Sequence, residues 1–68
     1  MTHEPTLHLS RGDWPLIARK RGLTYHQLAV LTGLSPATVA AYACGARRAS
    51  ENFLRIVWAH LGYPELAQ

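Results

Sequence analysis

The sequence predicts an all-α fold of four to five short helices, and two observations lead there. Four segments each open on a residue whose side chain can cap free N–H groups and close on a glycine: Asp13 to Gly22, Thr24 to Gly33, Ser35 to Gly45 and Ser50 to Gly62. Within them apolar residues recur at helical spacing, while polar and apolar residues alternate in Thr6-Leu7-His8-Leu9. No repeat, linker or low-complexity stretch divides the chain. Residues 1–12 are expected to form an N-terminal arm or short strand, and residues 13–68 one helical domain.

Each element has its own warrant. The first helix is expected to begin at Asp13, whose carboxylate caps it and leaves Pro15 in the first turn, where a missing N–H does little harm. Trp14, Ile17 and Arg21 share a face, and Arg19, Lys20 and Arg21 suit the negative end of the helix dipole before Gly22. Thr24-Tyr25-His26-Gln27 fits a capping box, so a second helix should run over 25–32 with Leu28 and Leu31 inward.

Gly33 can take positive φ at the corner that follows, Leu34 plugs it, Ser35 caps a third helix and Pro36 sits at its first position. That helix should end at Gly45, with Val39 and Tyr42 inward and Pro36, Ala37, Ala40, Ala41 and Cys44 outward. Ser50 and Glu51 open a fourth helix to about Leu61, striped by Leu54, Val57, Trp58 and Leu61. Phe53, Ile56 and His60 widen its apolar surface to a second side, either to pack under the N-terminal arm or to serve as candidate dimer contacts. Pro64-Glu65-Leu66 can add a last turn.

The totals narrow the function classes. At 68 residues the chain buries a smaller share of its surface than a larger domain would, and its stability is marginal. Lys and Arg outnumber Asp and Glu by 7 to 4, a balance that favours a polyanionic partner. A lone cysteine, Cys44, forms no internal disulfide and suits a reducing compartment. No membrane-length apolar run or secretory leader is seen, so the expectation is cytoplasmic. The spacing of His3, His8, His26 and His60 follows no metal-ligand motif, no cofactor is implied, and four acidic residues offer no paired-carboxylate or Ser-His-Asp arrangement. Neither an enzyme nor a small-molecule substrate is expected.

Two capped helices joined by a tight Gly-containing corner are what a helix-turn-helix needs: one braces on the backbone while the other lies in the major groove. The pattern RGLTYHQLAVLTGLSPATVAAYACGARRAS, followed by NFLRIVWAHLGY, resembles the Cro and phage-repressor type of helix-turn-helix across residues 14–63. The shared features are Leu28-Ala29, the corner Gly33, the β-branched Val39, the closing Gly45 and the cap Ser50.

That resemblance implies a lambda-repressor-like domain and a small transcriptional regulator binding double-stranded operator DNA. A phage or prophage Cro-like switch protein, as a possible homodimer, is its closest implied role. It implies base-edge contacts from Pro36, Ala37 and Ala41, and backbone contacts near Tyr25, Gln27, Ser35 and Thr38 and again from Arg47, Arg48 and Ser50.

Departures from the family pattern are informative. Alanine and proline stand where family members often carry Gln, Ser or Arg, so the third helix can touch thymine methyls but donates no side-chain hydrogen bond from those positions. Reading then moves toward Arg47, Ser35, Thr38 and DNA shape. A buried Arg–Glu pair of the family corresponds to Ala18 and Ala43, both partners missing together. Trp58 replaces a small residue and needs space, supplied by those alanines or by reaching Leu7 and Leu9. Arg11 is a further candidate to follow the DNA backbone. The alternative from another class is a protein-protein interaction module or adaptor using the alanine face and the Phe53 side to bind protein.

Overall fold

The computed structural model describes residues 9–68. Four α-helices run through them: α1 (Trp14–Lys20), α2 (Tyr25–Thr32), α3 (Pro36–Cys44) and α4 (Glu51–Leu61). Short 3-10 turns at Arg11–Asp13 and Pro64–Leu66 flank this set. Among the described residues there is no strand. Thr6-Leu7-His8 of the expected strand lie outside the described residues, and Leu9 and Ser10 belong to no regular element.

Local chemistry explains the helix limits. Thr24 Oγ1 accepts the Gln27 N–H at 3.1 Å while Gln27 Oε1 accepts the Thr24 N–H at 2.8 Å, a reciprocal cap that starts α2. Ser35 and Ser50 accept from the N–H groups of Thr38 and Phe53, starting α3 and α4. Gly33 has φ +76°, a conformation that turns the chain sharply out of α2, and Leu34 N–H then returns to the Ala29 carbonyl at 3.0 Å. The consequence is a bend of 111° between α2 and α3.

The start of α1 differs from expectation. Asp13 precedes Trp14 but caps nothing in α1; its carboxylate accepts the Ser10 N–H at 2.9 Å. The Arg11–Asp13 turn already feeds the helix, so the ordered domain reaches into the segment expected to be an arm.

The core is assembled on α4, which packs against α1, α2 and the C-terminal turn. Trp14, Leu28, Val39, Phe53, Val57, Trp58 and Leu61 are fully buried. Phe53 joins two helices: its ring meets Trp14 edge-on at 4.9 Å and Tyr42 edge-on at 4.9 Å. Such edge-to-face pairs contribute about 0.5–1.5 kcal/mol each beyond the area they bury. Phe53 is therefore a core residue and cannot serve as a dimer contact. Leu31, expected inside, is 39% exposed; Leu28 and Ala29 take the inward positions of α2. Ala18 is buried and Ala43 half-buried against the same core, with no charge at either site.

Trp58 resolves its own space requirement. It is wholly buried, its ring meets Tyr63 edge-on at 5.4 Å, and its indole N–H donates to the Arg11 carbonyl at 2.9 Å. Leu9 is partly buried against the core; Leu7 lies outside the described residues. Truncation of so buried an indole typically costs about 3–5 kcal/mol, a large fraction of a small domain's stability.

The Arg11 side chain is engaged within the domain. Its Nε donates to the Leu66 carbonyl at 3.0 Å, and its Nη1 pairs with the Glu51 carboxylate. One side chain thus links the entry turn, the start of α4 and the C-terminal turn. The bond from Arg11 holds the Glu51 carboxyl below its ordinary value, with the attraction of the Arg11 and Arg55 charges acting in the same direction.

A carboxylate whose folded pKa is depressed contributes stability above its unfolded pKa and loses it as pH falls through the folded value. Glu51→Gln is therefore expected to lower the denaturation midpoint at neutral pH. The difference from wild type should shrink once pH falls below about 4.5, the ordinary glutamate value, and vanish below the folded pKa. Urea titrations at a series of pH values measure it; a difference that does not depend on pH would mean the ion pair adds no stability.

Candidate nucleic-acid interface

The expected contact residues fall on two helix starts, one helix face and one loop. Tyr25 and Gln27 are exposed at the start of α2. Gln27 is only partly available, because its Oε1 is engaged by Thr24; its Nε2 stays free to donate. Ser35 and Ala37 are exposed at the start of α3, and Pro36, Thr38 and Ala41 are half-buried. The Ser35 and Thr38 hydroxyls share a hydrogen bond at 2.9 Å, so both side chains are already oriented by one another.

The outward face of α3 is less bare than expected. Ala37 and Cys44 are exposed, whereas Pro36, Ala40 and Ala41 are half-covered. None of the five is buried, and Val39 is the one fully buried residue of the helix. The helix is held by that valine and by Tyr42 against Phe53, leaving the alanine side partly exposed, most openly at Ala37 and Cys44.

The loop after α3 is tied to it. Arg47 N–H donates to the Ala41 carbonyl at 3.2 Å, which holds the loop beside the last turn of α3. Arg47 and Arg48 are both exposed, and the ion pair found among the described residues is Arg11–Glu51, so neither loop arginine is neutralised by a carboxylate there. Ser50 follows, exposed, with its hydroxyl oxygen accepting the Phe53 N–H at 3.2 Å. Glu51 would oppose an anion at this end of α4, but Arg11 compensates it.

Arg19 is a residue the sequence reading assigned only to the helix dipole. With Pro15, Ala18, Leu23, Thr24 and Tyr25 it lines an open depression of about 250 Å³ between α1 and the start of α2. A cationic residue thus shares this depression with the first residues of α2. The spacing from Arg19 to Thr24 carries no signal of this, because their proximity depends on how the α1–α2 turn folds.

Of the residues expected to mediate dimer contact, Phe53 is buried, Ile56 half-buried and His60 exposed, so they do not form one exposed patch. Exposed apolar side chains occur instead at Leu16, Tyr25, Val30 and Leu31. Among the described residues no group of three His, Cys, Asp or Glu side chains is placed to hold a metal ion, and no single helix is long and apolar enough to cross a membrane. In comparisons with protein-family models, curated proteins and solved structures, the chain has no match.

Proposed function

We propose that this chain is a small sequence-specific DNA-binding regulator in which α2 and α3 act as a helix-turn-helix and α3 enters the major groove. The observation that carries this reading is the bend of 111° between two short capped helices, the second leaving Ala37 exposed and being followed in the chain by the exposed Arg47 and Arg48. The major groove admits one helix, and small side chains let that helix approach closely.

On this reading Ala37 and Ala41 meet thymine methyls, and Pro36 sits where α3 enters the groove. Arg47 and Arg48 hold one phosphate strand, Ser50 adding a polar contact after them. The starts of α2 and α3, at Tyr25, Gln27, Ser35 and Thr38, lie along the other strand. Alanine supplies little discrimination between bases, so sequence preference arises from Arg47, the two hydroxyls and DNA deformability.

A second reading is favoured by one specific observation. Residues 22–46, which contain α2 and α3 entirely, include no Asp, Glu, Lys or Arg. An uncharged surface of that extent also suits an apolar protein partner. The two readings differ in salt response, since phosphate contacts release counterions and apolar contacts do not.

Selection from random duplexes supplies the probe, and its affinity is then measured over a range of salt concentrations. Steep weakening is expected for the wild type. Arg47→Ala combined with Arg48→Ala should reduce the slope of log K against log salt by about 2, one unit for each lost phosphate contact. An unchanged slope would remove the basic loop from the interface.

Ala37→Glu tests the docking of α3 separately. A carboxylate in the first turn suits the helix dipole, so folding should be preserved, which circular dichroism verifies. Against the DNA it sets negative charge on negative charge, and affinity should fall by at least about a hundredfold. Unchanged affinity would exclude this face of α3 from the groove.

A further inference from the structure

We propose that Arg11 is a positioning residue for phosphate binding: by fixing the Glu51 carboxylate toward the chain ends, it leaves Arg47 and Arg48 free to meet DNA. The inference rests on the DNA-binding reading above and adds to it a residue outside the proposed contact surface.

The sequence sets the problem. Residues 14–64 hold all four helices and contain one carboxylate, Glu51. It stands three residues after Arg48 and directly after Ser50, the cap of α4. Negative charge in a first turn suits the helix dipole, which accounts for an acid at that place. For the loop beside it the same charge is adverse in two ways: it repels an approaching phosphate, and it offers a loop arginine a partner within the chain.

The structure supplies a counter-charge from 40 residues away. Arg11 is anchored before any ligand arrives. Its carbonyl accepts the indole N–H of the fully buried Trp58 at 2.9 Å, and its Nε donates to the Leu66 carbonyl at 3.0 Å. The remaining Nη1 pairs with Glu51. A guanidinium held in this way loses little further freedom in making the pair.

Other cations do not take this role. Arg55, one turn along α4, attracts Glu51 but forms no ion pair with it. Arg47 and Arg48 are exposed and likewise unpaired among the described residues. The Glu51 side chain is 66% exposed, so its pairing adds only modestly to stability. Its distinguishing effect is the direction in which the carboxylate is held.

The test measures affinity for a selected duplex and its salt dependence, with folding followed by circular dichroism and urea titration. Arg11→Met should weaken DNA binding by about fivefold and reduce the slope of log K against log salt by about 1, as Glu51 captures one loop arginine. Glu51→Gln should bind at least as tightly as wild type, and Arg11→Met combined with Glu51→Gln should bind as Glu51→Gln does. Arg11→Lys keeps the charge but loses the Nε donor to Leu66; it should bind DNA as wild type does while its urea midpoint falls. Every variant keeps the Arg11 carbonyl that the Trp58 indole holds.

A merely structural role for Arg11 predicts the reverse pattern: affinity falling with stability in both Arg11→Met and Arg11→Lys, with no rescue by Glu51→Gln. That pattern overturns the proposal, as does equal affinity of Arg11→Met and wild type, the result if Arg55 takes over Glu51. If Arg11→Met fails to fold, fivefold weaker binding by Arg11→Lys, or weaker binding by Glu51→Gln, overturns it equally. A wild type that binds no duplex sinks the DNA-binding reading and this one together, whereas a wild type that binds without coupling to Arg11 removes only this one.

Discussion

The arrangement of this domain depends on the ring of Phe53. From α4 it meets Trp14 of α1 and Tyr42 of α3 edge-on, each at 4.9 Å, and so fixes both helices to one scaffold. Helix α3 needs that hold. It buries only Val39 completely, and apart from the half-buried Tyr42 its remaining surface is alanine, proline, cysteine and threonine, residues too small or too polar to bind it strongly to a core. The contact between Tyr42 and Phe53, together with the Gly33 corner, therefore sets the direction in which α3 projects.

A second constraint closes the ends of the chain. Through the Arg11 carbonyl, the Trp58 indole holds the entry turn, and the Arg11 side chain reaches both Glu51 and Leu66. A chain of this size has few apolar residues to spare, so polar links between distant segments supplement the core. The arrangement also removes Arg11 and Glu51 from the pool of charges open to a partner. The exposed loop arginines, Arg47 and Arg48, gain correspondingly in weight.

What was legible in the sequence was local. The limits of α2, α3 and α4 follow from Thr24 with Gln27, from Ser35 with Pro36, and from Ser50, because caps and left-handed glycines act within a few residues of themselves. The side each helix presents was less legible. Phe53 and Leu31 were misjudged because the inner face of a helix is decided by the neighbours it crosses, and α4 is covered on more sides than a surface helix. Asp13 misled for a related reason: an earlier partner, Ser10, takes the carboxylate. The Arg11–Glu51 link spans 40 residues and has no sequence signature. The absence of charge over residues 22–46 was visible but ambiguous, since it fits a close approach to DNA as well as an apolar partner.

The proposed function rests on the partly exposed alanine side of α3 meeting DNA while the adjoining loop grips phosphate. Amide chemical-shift mapping with a selected duplex examines this most directly. The account predicts the largest shifts at residues 35–38, at Ala41 and at residues 47–50, with little change at Val30, Leu31 and His60. Shifts confined to those last three residues, or no shifts with any duplex at low salt, would contradict it.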